Sequence, residues 1–133
     1  MLALLLATAM ATTAPGRCPS DPLIADPRLK VVRARDRAFD HYIVTVDVKN
    51  DGSVAQPSGT AQHLELVQHG DVLGKQPIPV LGRQESYVAA FRLRLPHQSA
   101  RPPFAVEFRY VLDTPNAARA NCNPFNDRLS ATL

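Results

Sequence analysis

Residues 42–48 read Tyr-Ile-Val-Thr-Val-Asp-Val and run into Asn50-Asp51-Gly52. This stretch limits the fold more than any other. Side chains of an extended strand point alternately to opposite faces, so Tyr42, Val44, Val46 and Val48 line one face. Thr45, Asp47 and Lys49 line the other. An apolar set with a period of two requires a half-buried strand, because a helix would spread it around its axis. Asn-Asp-Gly then supplies a turn.

The pattern recurs, and seven strands are expected: Leu29–Arg35, Tyr42–Lys49, Gln62–Val67, Gln76–Leu81, Tyr87–Leu95, Phe104–Leu112 and Arg128–Leu133. Inward positions are Leu64 and Leu66 in the third strand, and Tyr87, Ala89, Phe91, Leu93 and Leu95 in the fifth. In the sixth they are Phe104, Val106, Phe108, Tyr110 and Leu112, and in the seventh Leu129, Ala131 and Leu133. His69-Gly70-Asp71 and Gly82 read as turns. The prolines fall between or at the margins of these runs, as expected of a residue that cannot donate to a sheet ladder. The fourth run holds Pro77 and Pro79 and reads as a short edge strand.

Seven short strands with turns at this spacing predict an all-β fold: a seven-stranded, immunoglobulin-like antiparallel β-sandwich. In that topology the segment before the first strand meets the loops after the second, fourth and sixth at one end. A chain of 133 residues makes one such domain, with enough core to fold unaided. Tryptophan is absent, so Val, Leu, Ile and Ala supply most of the interior.

Residues 1–14 are apolar or small throughout. The run is too short to span a bilayer but suits a secretory signal peptide, with cleavage after Ala11 or Ala14. A buried apolar helix is the competing reading. The basic residues that usually precede such a run are missing, so the true start is expected further upstream. No stop-transfer segment follows, which predicts a mature chain without an integral membrane segment. Residues 15–25 form an extended, proline-rich lead-in, and the sandwich occupies 26–133.

Cys18 and Cys122 are the two cysteines. Neither belongs to a Cys-x-x-Cys pair or has a histidine at ligand spacing. The topology brings them to the same end, so an oxidising compartment would pair them. Closing so long a loop stabilises a fold by roughly 4–5 kcal/mol in the chain-entropy model. In a reducing compartment both remain thiols.

The net charge of +3 is scattered singly, with no basic run interleaved with aromatics. A nucleic-acid partner is therefore not expected. No nucleophile elbow, phosphate loop, dinucleotide fingerprint or His-Glu-x-x-His motif occurs, and no cofactor or enzymatic activity is expected. Blue-copper chemistry usually takes a methionine ligand, and both methionines, Met1 and Met10, lie in the leader. His41, His69 and His97 fall at one end of the predicted sandwich; convergence would make a metal site, whereas separate solvated loops would not. His63 stands alone on an outer strand face and reads as structural or solvated.

The stretch from Asp113 to Asp127 is the longest irregular segment and carries Asn116, Arg119, Asn121, Asn123 and Asn126. Long ordered loops of a sandwich often carry recognition, although such residues also cap turns or, with more carboxylates, hold calcium. Binding residues are expected at Asn50, Asp51, Arg119, Asn121, Asn123 and Asn126. On the outer face, Arg92 and Arg94 read either as an ordinary charged strand surface or as a ligand-binding basic strip, and they would sit opposite Asp47 and Lys49, with an Asp47–Arg92 contact, if the second and fifth strands pair.

The order of these features resembles the CARDB domain, a cell-adhesion-related, immunoglobulin-like module of bacteria. The resemblance rests on Asp26-Pro27-Arg28-Leu29, the Ile43-to-Gly52 run, Pro79-Val80-Leu81-Gly82 and the asparagine-rich Asn121–Leu133. It implies a non-catalytic surface or envelope module. The chain is thus expected to be periplasmic or secreted and to bind an envelope protein or glycan through its end loops. A small secreted inhibitor or metal-handling protein is the alternative.

Overall fold

The computed structural model describes residues 19–32, 38–96, 103–114, 120–123 and 127–133. They form seven strands: β1 (Pro22–Val32), β2 (Phe39–Asn50), β3 (Gln62–Gln68), β4 (Asp71–Ile78), β5 (Ser86–Pro96), β6 (Ala105–Leu112) and β7 (Arg128–Thr132). These build a three-stranded sheet, β1-β2-β5, and a four-stranded sheet, β4-β3-β6-β7. Every pairing is antiparallel. The expected seven-stranded sandwich is the fold.

Alternation explains why the sheets face one another. On β2, Tyr42, Val44, Val46 and Val48 are buried, while the residues between them are half-exposed. On β3, Leu64 and Leu66 are buried; on β5, Ala89, Phe91 and Leu93; on β6, Val106, Phe108 and Tyr110. All join one cluster, and each full burial of such a side chain contributes about 1.5–3 kcal/mol. Two ring pairs bridge the sheets. Phe91 and Phe108 have centroids 6.2 Å apart, and Tyr42 meets Phe104 edge-on at 5.3 Å.

Two strands depart from the sequence-based expectation. β1 begins at Pro22, seven residues before the expected start, inside the segment read as a lead-in. Pro22–Ala25 pair with Asp47–Asn50, and the register then slips between Ala25 and Arg28. Asp26 takes φ 53° in that bulge, a conformation Asp tolerates better than most residues, and Pro27 lies where the ladder is already interrupted. β4 starts at Asp71, not Gln76. His69 and Gly70 have φ of 51° and 80°, the backbone of a two-residue hairpin turn, so pairing resumes at once with Gln68 opposite Asp71. Pro77 is accommodated because β4 is an edge, and the chain leaves the sheet after Ile78.

Candidate functional site

The loop end of the sandwich is built on three buried amides. Asn50 continues the inward series of β2 beyond Val48 and is fully buried. Its Oδ1 accepts from the Asp21 and Gly52 backbone N–H groups, both at 3.0 Å. Its Nδ2 donates to the carbonyls of Val54 at 2.9 Å and Gly82 at 3.1 Å. One side chain therefore fixes the β1 entry, the β2–β3 loop and the β4–β5 connection.

Gln56 and Gln62 form a reciprocal pair. Gln56 Nε2 donates to Gln62 Oε1 at 2.8 Å, and Gln62 Nε2 donates to Gln56 Oε1 at 2.7 Å. Gln56 also receives Leu81 N–H at 2.8 Å and donates to the Ala120 carbonyl at 3.1 Å. Gln62 also donates to the Pro79 carbonyl at 2.9 Å and accepts from the Tyr110 hydroxyl. Each amide oxygen thus accepts twice and each NH2 donates twice, so both side chains are satisfied without water. Burial pushes the Tyr110 hydroxyl far above the usual phenol range, keeping it a donor at any physiological pH.

The segment before β1 packs into the same end. Val54 N–H donates to Pro19 O at 2.8 Å, Asp51 N–H to Asp21 O at 2.9 Å, and Cys122 N–H to Ser20 O at 3.0 Å. Gly52 lies so close that a Cβ there would overlap the Pro19 carbonyl oxygen. All four segments expected at this end do meet there.

This geometry sorts the sequence-derived binding residues. Asn50 is a correction: it is buried with its hydrogen-bonding groups engaged, whereas Asn121 is buried and donates to Asp127 Oδ1 at 2.6 Å while its own Oδ1 has no partner among the described residues. Asn50 therefore has no free amide group to offer a ligand. Asp51 is exposed and Asn123 half-exposed on the rim. Arg119 and Asn126 lie outside the described residues, as do the leader, Cys18 and His97. Sequence reasoning missed Gln56, Gln62 and Tyr110 as a unit. Gln62 shares strand parity with Leu64 and Leu66, which could have marked it as an inward polar residue.

His41 lies on β2 and His69 in the β3–β4 turn. Among the described residues no group of three His, Cys, Asp or Glu is placed to hold a metal ion. His63 Nδ1 lies 2.8 Å from Asp113 Oδ2, the structural role expected of it. The expected Asp47–Arg92 contact does not form, although β2 and β5 do pair. Val88 stands opposite Asp47 and Ile43 opposite Arg92. Asp47 instead binds Arg28 of β1 at 2.7 Å.

The fold and its amide-locked loop end define a CARDB-like, immunoglobulin-type sandwich. No protein-family model matches the chain, and no curated protein is similar to it in sequence. Among solved structures, one match is a domain of a candidate cell surface protein from Methanosarcina acetivorans. It is 19% identical, with a TM-score of 0.57, over 85% of this chain and 90% of that one. A second is a CARDB domain from Pyrococcus furiosus solved in complex with di-metal ions. It is 18% identical, with a TM-score of 0.53, over 87% of this chain and 93% of that one. The CARDB resemblance read from the sequence therefore holds for the fold.

Proposed function

We propose that the chain is a non-catalytic, exported binding module of the bacterial envelope, periplasmic or secreted, which recognises an envelope protein or glycan through its loop end. One observation carries the reading: the satisfied buried amides of Asn50, Gln56 and Gln62 hold loops whose outer side chains remain in solvent. Asp51, Ser53, Val54 and Ala55 are exposed, and Val54 keeps 52% of its surface, while the backbone beneath is fixed by Asn50 and Ser20. A rigid base under an exposed loop lowers the ordering cost of binding. The similarity to cell-surface and CARDB domains supports the same class. A Cys18–Cys122 disulfide would fasten the amino-terminal segment to this end, in keeping with the Cys122–Ser20 backbone bond and with export.

The test is capture of partners from the producing cell's envelope by immobilised, oxidised protein, beside the Val54→Asp variant. Loss of the captured partner with an unchanged Tm supports recognition at the loop rim. Retention of the same partner by Val54→Asp removes the rim from the reading.

A further inference from the structure

At the end of the sandwich opposite the amide-locked loops, the four-stranded sheet has a gap. β3 and β6 stay paired as far as Val67 opposite Glu107. Beyond that pair β3 runs into its turn, where His69 and Gly70 take φ of 51° and 80° and lead the chain into β4. β6 reaches further, to Ala105, and is still paired there with β7 on its other side. Phe104 and Leu133 exchange both backbone hydrogen bonds, at 2.6 and 2.8 Å, so Phe104 directs its N–H and C=O toward β7. Alternation along an antiparallel strand turns those of Ala105 the opposite way, toward the side that β3 has left. Ala105 is exposed and shows a backbone donor and acceptor beyond the last β3–β6 pair.

A cavity of about 360 Å³ opens over this gap, within the size range of small-molecule sites. Gln68 and His69 reach its wall from the turn, and Ser130 and Thr132 from the outward face of β7, the last two about 7 Å apart along the strand. Amide, hydroxyl and neutral imidazole groups each donate and accept. Among the described residues these four side chains have no protein partner. Glu107 supplies the one carboxylate of the lining, and no Lys or Arg lines it. Arg109 donates to Glu107 Oε2 at 3.1 Å, and Arg128 stands 3.8 Å from Oε1. The Arg109 hydrogen bond holds this carboxyl below its usual range, so it stays ionised with its charge compensated, and it keeps lone pairs for further donors. Val67, buried opposite Glu107, gives the cavity a small apolar base.

We propose that this cavity binds a neutral saccharide unit, its hydroxyls bonded to Gln68, His69, Ser130, Thr132 and Glu107 and to the Ala105 backbone. A sugar hydroxyl both gives and takes a hydrogen bond, as the groups of the wall do. A ring carrying several adjacent hydroxyls can engage many such groups at once. The compensated carboxylate and the lack of a lining cation select against an anionic ligand. The cavity and the loop rim lie at opposite ends of the sandwich, so either assignment can fail without the other.

The test is an amide chemical-shift titration of the isotope-labelled protein with maltose and with cellobiose. At least one sugar should shift the amides of residues 68–70, 105–107 and 130–132 and saturate with a Kd of about 1 mM. Ser130→Ala and Thr132→Val should each raise that Kd about fivefold, the loss of one neutral hydrogen bond, and keep the wild-type Tm. Thr45→Val makes the same change on the outward face of β2 in the other sheet and should leave Kd unaltered. Shifts that stay linear up to about 50 mM of both sugars, or that lie outside those three segments, overturn the proposal. So does wild-type affinity in both β7 variants. Tighter binding of a capped oligo-alanine peptide than of either sugar, centred on Ala105, would make the gap an edge for strand addition and overturn the saccharide assignment.

Discussion

The middle of the sandwich and its loop end are both buried, yet they are held by different physics. In the middle, Val44, Val46, Leu64, Leu66, Phe91 and Phe108 belong to one apolar cluster. That contact is non-directional, so a residue of similar size would serve nearly as well. At the loop end the same strands continue their inward parity but present Asn50 and Gln62, and the interior becomes a hydrogen-bonded lattice with Gln56 and Tyr110. Here direction matters: each amide selects particular carbonyls and N–H groups, and thereby one conformation of the loops that carry them. The apolar middle supplies the bulk of the stability. The polar end determines what shape the loops take.

This contrast gives its largest predicted effect in the middle. Phe108→Ala removes a fully buried ring that meets Phe91 across the sheets, and should cost about 3–5 kcal/mol. Denaturant unfolding followed by circular dichroism would measure it. A loss below 1 kcal/mol would mean that the core collapses around the gap and is less closely packed than its burial implies. Phe108→Leu should recover most of the loss, since shape tolerance is the property being claimed for this region.

At the loop end chemistry should outweigh volume. Asn50→Ala strands the N–H groups of Asp21 and Gly52 and the carbonyls of Val54 and Gly82, at about 1–3 kcal/mol for a buried group left unpaired. Asn50→Asp is nearly isosteric, yet it turns an oxygen toward the carbonyls that now receive Nδ2 and buries a charge. It should therefore be the worse of the two at neutral pH and improve on acidification. Equal melting curves for Asn50→Asp and wild type would dissolve the distinction between the two regions.

The same contrast decides what was legible in the sequence. Strand parity alone exposed the middle: the inward sets of β2, β5 and β6 are those read from alternation, because apolar burial leaves a periodic trace. β1 and β4 were misplaced because their bounds depend on a bulge at Asp26-Pro27 and a two-residue turn at His69-Gly70, geometries with no periodicity. The asparagines of the loop end were read as outward-facing because polar residues usually are. Asn50 is the clearest exception, because it is buried against groups from distant parts of the chain. Gln56 bonds Ala120 across 64 residues, and such a partner becomes visible only once the sandwich has closed.

Asp127 yields the smallest effect, and its sign is the informative part. Burial raises its carboxyl above the usual range, against the opposing Asn121 hydrogen bond, with Asp21 adding repulsion and Arg128 relieving some of it. A carboxyl that holds its proton more tightly folded than unfolded lowers stability as pH rises through the interval between its unfolded and folded pKa values. The penalty is fully present above the folded value and disappears below the unfolded one. Asp127→Asn keeps an oxygen to accept from Asn121 and removes the charge, so it should raise Tm slightly at pH 7 and leave it unchanged at acid pH, where wild-type Asp127 is already protonated. Melting curves of both proteins across that interval would therefore converge as pH falls. Curves that instead diverge on acidification would show that the Asp127 carboxylate is a stabilising partner at the loop end, and that this region tolerates charge as well as direction.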